Sequence, residues 1–295
     1  MSNAAQLSFH DRHYHLFRRL HSLTGIAPIG VFLISHLTTN SSLVWGALDA
    51  RHRTAVGEGG HAGAYAFQHE VNFIHSIPFL LLIEIFGLWL PIAFHSVLGF
   101  YYAFTGKGNA RHYNYQANWR YTLQRISGYV GFFFILYHVA TLRWGWTFLI
   151  PGGTKWSAEY AASTLGAALQ GSTDGMTPAG LLVSAFYMLG VSLLVFHFAN
   201  GLWTAAITWG VTISDKAQQR WGYVCAALGT GLMVMGWSAT IAAATLDQDK
   251  ARQAEELLRL HGDKPPKIDP VTGGDAPTPS ALLGDEPVSQ PGLGS

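Results

Sequence analysis

Leu193–Trp209, LLVFHFANGLWTAAITW, is the stretch on which the reading of this chain turns. His197 sits inside an apolar run, and the small residues Ala199, Asn200 and Gly201 follow it closely. An imidazole in such a setting is costly unless something binds it. Three stretches upstream repeat the arrangement: His36 in VFLISHL, His95 in LWLPIAFHSVLG and His138 in FFFILYHVATL. Four histidines on four hydrophobic segments make two pairs of axial ligands, which is what two bis-histidine haems need.

The rest of the composition agrees with a membrane setting. The 295 residues are 49% hydrophobic and 12% charged, with a mean hydropathy of +0.20, whereas about a quarter of a soluble domain is charged. Five segments reach the roughly 20 apolar residues that cross a bilayer: Leu20–Thr39, Ile77–Phe104, Tyr121–Leu142, Ala179–Val211 and Gly222–Thr245. The expected fold is an all-α membrane protein, five transmembrane helices in a bundle enclosing two b-type haems. The formal charge of +1 gives no reason to expect nucleic acid, and the single Cys225 excludes an intrachain disulfide.

Residues 1–17 read as a cytoplasmic arm, because MSNAAQLSFHDRHYHLFRRL lacks the apolar core of a signal peptide. Residues 18–245 form the membrane domain. Residues 246–295 read as a charged helix, DQDKARQAEELLRLH, followed by a Pro-, Gly- and Ser-rich disordered tail. Arg12, Arg18, Arg19, Lys107, Arg111, Arg120, Lys216 and Arg220 flank the segments on one side, which places the N-terminus inside and the C-terminus outside.

Counting from the outer segment ends, His36 is about 3 residues deep and His138 about 4, while His95 and His197 are about 18 deep. The four therefore sort into an outer layer, His36 with His138, and an inner layer, His95 with His197, separated by roughly 20 Å of helical rise. Gly25, Gly30, Gly87, Gly99, Gly128, Gly131, Gly190 and Gly201 would admit a flat macrocycle between helices, though small residues serve plain helix packing equally well. Pro91 cannot donate to the carbonyl of Gly87, so a kink is expected there. A lone intramembrane histidine is equally a helix contact or a step in a proton path; it is the common layering of four that favours ligation.

With these residues in place, FRRLHSLTG (Phe17–Gly25), IGVFLISHL, LPIAFHSVLGFYYAFTGKGNA, NWRYTLQRISG, YHVATLR and above all HFANGLWTAAITWGVTIS resemble the di-haem cytochrome b anchor of bacterial succinate:menaquinone oxidoreductases. That is the Bacillus-type succinate dehydrogenase, related to the quinol:fumarate reductases. The resemblance covers about Phe17–Thr245, and the long outer loops and the tail depart from it. It implies two b haems on His36, His95, His138 and His197, and menaquinone as electron acceptor. It also implies an iron–sulfur subunit and a flavoprotein docked on the cytoplasmic side. The chain carries no dicarboxylate site, flavin motif or cysteine cluster, so any succinate chemistry belongs to those partners.

Further candidates surround the ligands. Arg19, His21, Ser22 and Arg125 stand at the inner ends of their segments, where they could bond propionates of the inner haem, and Arg143 stands five residues beyond His138 for the outer one. Arginines there are also ordinary inside-positive anchors. Glu84 lies in LLLIEIFGLWL on the outer half of a ligand-bearing helix and is the candidate catalytic carboxylate, exchanging protons with quinone; a structural bond to a neighbouring helix is the rival. Glu70 and His75 are candidates for the mouth of the same quinone site. Competing functions are the anchor of a fumarate reductase, the cytochrome b of another dehydrogenase, and a haem-free transporter of protons or metal.

Overall fold

Backbone groups in hydrocarbon find partners only within their own segment, so apolar runs of this length become helices. The computed structural model describes residues 12–57, 60–105 and 116–262; Lys107, Arg111 and the tail from Asp263 lie outside them. Among the described residues the regular structure is helical, without strands. The helices are α1 (Tyr14–Ile26), α2 (Pro28–Trp45), α3 (Ala50–Val56), α4 (Ala62–Ser76), α5 (Leu80–Glu84), α6 (Leu90–Thr105), α7 (Gln116–Leu142), α8 (Ala161–Gln170), α9 (Pro178–Thr208), α10 (Asp215–Ala244) and α11 (Gln248–His261).

Among the described residues five stretches are long and apolar enough to cross a membrane: Tyr14–Leu48, Leu80–Thr105, Trp119–Leu142, Pro178–Thr208 and Asp215–Ala244. The chain is a multi-pass membrane protein. In the second stretch a widened π turn, Ile85–Trp89, separates α5 from α6, and the Leu90 N–H donates to Ile85 O. The irregularity expected around Pro91 is thus placed one turn earlier. A proline without an N–H cannot hold the normal ladder, and shifting the register upstream spares it that bond.

The first stretch is longer than its sequence suggested, because α2 continues to Trp45 rather than stopping near Thr39. Thr38 and Ser42 close hydrogen bonds to the carbonyls of Ile34 and Thr39, so the polar run TTNSS satisfies its hydroxyls without leaving the helix. His36 is therefore deeper from its helix end than the count from Thr39 implied.

The chain divides into two compact units. The first comprises residues 1–38, 77–139 and 185–237. Leu37, Val195 and Leu232 are its buried centre, with Leu33, Val191, Phe198, Leu228, Met233 and Met235 packed on them. Around that centre the helices turn apolar side chains outward, including Phe86 at 67% and Val97 at 68% exposure, as a lipid-facing surface should. Helix approach relies on glycine at particular points: a Cβ on Gly190 would meet Phe134 at 2.2 Å, one on Gly30 would meet Phe198 at 2.3 Å and one on Gly131 would meet Leu194 at 2.6 Å. For these three, helix packing is the role.

The second unit comprises, among the described residues, 39–57, 60–76, 140–184 and 238–262. The segments expected as loops fold here into α3, α4 and α8, and α11 packs with α4 and α8 rather than trailing away. His52 and His69 accordingly lie on helices, and His61 accepts the Ala64 N–H as a cap of α4. Ala64, Phe67, Ala161, Leu169, Ala251, Ala254 and Leu257 supply the core, helices rich in alanine allowing close packing. The N-cap residue of α8 is Tyr160, which has no capping side chain to offer. Glu255 of α11 takes its place, accepting from the Ala162 N–H at 2.6 Å, the Ser163 N–H at 2.9 Å and the Ser163 hydroxyl at 2.6 Å. Gln68 fixes the same corner by donating to Ala158 O and accepting from the Ala161 N–H.

Candidate functional site

The four intramembrane histidines meet in two pairs, both within the first unit. His36 of α2 faces His138 of α7 with ring centres 5.7 Å apart and ring planes at 84°. His95 of α6 faces His197 of α9 at 6.1 Å and 82°. A metal ion between two facing imidazoles sets the ring centres about 6 Å apart, given metal–nitrogen bonds of about 2 Å. Among the described residues no three His, Cys, Asp or Glu side chains converge on a metal-sized site. Two protein ligands are too few for a bare ion, but they suit an iron whose equatorial positions are filled by a macrocycle.

The hydrogen bonds of the second pair decide which nitrogen of each ring is protonated. His95 Nδ1 lies 2.9 Å from His21 O, and His197 Nδ1 lies 3.1 Å from Gln124 O. A carbonyl only accepts, so both Nδ1 atoms carry the proton and both Nε2 atoms keep the lone pair that a metal takes. Ser127 adds to this at His197, its hydroxyl 3.2 Å from Nδ1 and donating to Gln124 O. Glycine makes room for the rings: a Cβ on Gly25 would stand 2.6 Å from His95 Cε1, and one on Gly128 3.0 Å from His197 Cε1. Aromatic rings line the other pair, with Phe32 stacked on His36 at 5.2 Å and Phe134 and Tyr187 at 6.0 and 5.8 Å from His138.

The remaining sequence candidates scatter. His21 stacks on His95 at 4.0 Å, and its Nδ1 is buried without a hydrogen bond among the described residues. Ser22 accepts from Trp209 Nε1, and the Arg19 guanidinium lies over the ring of the same tryptophan. Arg125 donates to Ala103 O. Glu84 is half-buried where α5 gives way to the π turn. Glu70, His75 and Arg143 belong to the second unit, His75 and Arg143 being exposed.

Sequence reasoning passed over three residues that the structure gathers around His197: Arg120, Ser127 and Asn200. Asn200 is 4% exposed, donates to Gln124 Oε1 at 2.8 Å and accepts from Arg120 Nε at 2.8 Å. A signal was present. Arg120, Gln124 and Ser127 recur at i, i+4 and i+7, which puts them on one face of α7.

No protein-family model matches the chain. A curated relative, the succinate dehydrogenase cytochrome b558 subunit of Bacillus subtilis (strain 168), is 36% identical over 226 residues, covering 77% of this chain and 95% of the relative. That likeness spans nearly the whole relative and joins a five-span fold with two intramembrane histidine pairs: the chain belongs to the family of cytochrome b subunits that anchor succinate dehydrogenase in the membrane.

Proposed function

We propose that His36 and His138 hold one b-type haem and His95 and His197 a second, and that the chain joins a succinate-oxidising partner on the inner side to a quinone near the outer end. The observation that carries this reading is the meeting of two histidine pairs at 5.7 and 6.1 Å, the second with both Nδ1 atoms tied to carbonyls. A bound haem supplies a one-electron carrier, which links a two-electron dehydrogenase to a quinone. The name of the relative denotes a b-type cytochrome and a subunit of succinate dehydrogenase. Flavoprotein and iron–sulfur partners are the subunits that this reading assigns to the succinate-oxidising side, supported by the relative's being one subunit of a larger enzyme.

The protein's own residues have distinct tasks in this reading. His21 O and Gln124 O orient the ligand rings and make them more basic by accepting their protons. Gly25 and Gly128 keep space at the ring edges. Glu84 is assigned to proton exchange with menaquinone, supported by its place at the head of a π turn, an irregularity often found at functional sites. Arg19, His21, Ser22 and Arg125 remain the inner candidates for propionate contact and Arg143 the outer one, with Glu70 and His75 at the quinone mouth.

Reduced-minus-oxidised spectroscopy with haem quantification on the purified complex is the direct test. Two haems per chain are expected. His36→Ala and His138→Ala should remove one shared component, and His95→Ala and His197→Ala the other. Loss of the same component from His36→Ala and His95→Ala, with His138→Ala sparing it, would refute the pairing. Glu84→Gln should slow quinone reduction with both components retained, and unchanged turnover would return this residue to a structural role.

A further inference from the structure

We infer that Arg120, Asn200 and Gln124 form a positioning relay that sets the redox potential of the inner haem through His197, an inference that rests on the haem reading of that histidine. The relay is continuous and runs one way. Arg120 Nε donates to Asn200 Oδ1 at 2.8 Å, Asn200 Nδ2 donates to Gln124 Oε1 at 2.8 Å, and Gln124 Nε2 donates to the backbone carbonyl of His197 at 3.1 Å. Gln124 closes the loop with its own carbonyl, which takes the Nδ1–H of the His197 ring. One residue therefore grips the ligand at both its backbone and its imidazole.

Two features set this apart from an ordinary clip between α7 and α9. The first is the charge at its head. Arg120 stands at the very start of its span, and no carboxylate pairs with it among the described residues. It is held instead over the ring of Trp203, with the guanidinium carbon 3.7 Å from the ring centre, and Trp203 is itself fixed by donating to Gln218 O. Among the described residues no acid offsets its positive charge, and hydrogen-bonded amides carry its polarisation toward the ligand. The second is the end point. The relay terminates on the backbone carbonyl of His197, whose ring pairs with that of His95, and the same Gln124 supplies the backbone carbonyl that fixes the tautomer of that ring, so a displacement of Gln124 alters both the angle and the basicity of the imidazole.

A nearby positive charge favours the reduced, electron-richer state, so the relay holds the potential of this haem above the value it would otherwise have. The residues act through His197 and touch neither substrate nor quinone. Their signature is a potential and a ring orientation, neither of which a purely structural clip would tie to a single haem.

The test is a redox titration of the purified complex by optical spectroscopy, with low-temperature electron paramagnetic resonance on the same samples. In Arg120→Gln, the component that is lost in His197→Ala should shift to lower potential by at least tenfold in its oxidised-to-reduced equilibrium, about 59 mV for one electron. The other component should stay in place. Arg120→Lys keeps the charge and should recover most of the shift. Asn200→Leu cuts the relay while leaving the arginine, and should shift the same component the same way. The double variant should move no further than the larger single one. Where Asn200→Leu does not accumulate, Gln124→Leu breaks the same chain and is read in the same manner. Unmoved potentials in Arg120→Gln, equal shifts of both components, or additive shifts in the double variant would overturn the relay with the haem assignment still standing. A wild-type complex without any component dependent on His197 would instead remove the haem reading, and this inference with it.

Discussion

The two units of this chain treat a buried polar group in opposite ways. In the first, each imidazole of the His95–His197 pair spends one nitrogen on a backbone carbonyl and keeps a lone pair on the other, and glycines keep the ring edges clear. In the second, Glu255 is completely buried and both of its oxygens are consumed by the start of α8. A group left with one valence and some space is built to receive a ligand, whereas a group with every acceptor filled is built to hold the fold. The cores differ as well. The first unit is centred on Leu37, Val195 and Leu232, whereas the second encloses a core rich in alanine and leucine.

The comparison is broken most severely if space beside the rings is of no consequence. Gly25→Val places atoms where His95 Cε1 stands, a Cβ alone approaching to 2.6 Å. The expected result is loss of the spectral component that His95→Ala also removes, with the other retained, measured by haem quantification. Full occupancy of both would show that Gly25 serves packing alone.

A smaller effect is expected from Glu255→Ala, which strands the amides of Ala162 and Ser163 and the Ser163 hydroxyl at the buried end of α8. Leaving such donors unsatisfied costs about 2–4 kcal/mol. Hydrogen exchange should register it as weaker protection of α4, α8 and α11, and unchanged exchange would mean that the cap is dispensable.

The smallest is a pH dependence. Burial pushes the Glu255 carboxyl from its ordinary 4.5 up to about 7, against the opposing pull of its hydrogen bonds from Ser163 and Ala162. A raised carboxyl value means that the folded state binds a proton the unfolded state has lost. The contribution of this group is therefore full below about pH 4.5 and declines as pH rises through about 7. Opening of the second unit, followed by hydrogen exchange corrected for intrinsic rate, should become easier over that window, by about 3 kcal/mol at most, and Glu255→Gln should flatten the trend. A slope of the opposite sign would show that the helix N-terminus holds the carboxylate ionised, and the contrast with the histidines would then rest on charge as well as on filled valences.

The membrane-spanning stretches were legible because hydropathy is a local property: twenty apolar residues need a helix whatever surrounds them. The same holds for His36, His95, His138 and His197, conspicuous because imidazoles are out of place in such runs. The second unit escaped notice because its helices are short and alanine-rich. Without the hydrophobic length of a membrane span, only mutual packing makes Ala161–Gln170 more than a loop and Gln248–His261, readable as a charged helix, part of a core. Glu255 looked like one more charge in DQDKARQAEELLRLH, and nothing local marks it as the cap of a helix that starts at Ala161.

The chain's letters by themselves determined that it is a membrane protein with five membrane-crossing segments and an imidazole inside an apolar run on four of them, since burial cost and helical rise act residue by residue. Tertiary structure alone decided that Gln124 O receives the proton of His197, that Gly25 rather than Gly190 stands at a ligand ring, and that Arg120 reaches this histidine through Asn200. Those contacts join residues seventy or more positions apart. They depend on how far each helix is rotated about its axis, and that rotation is set by the packing of all its neighbours at once.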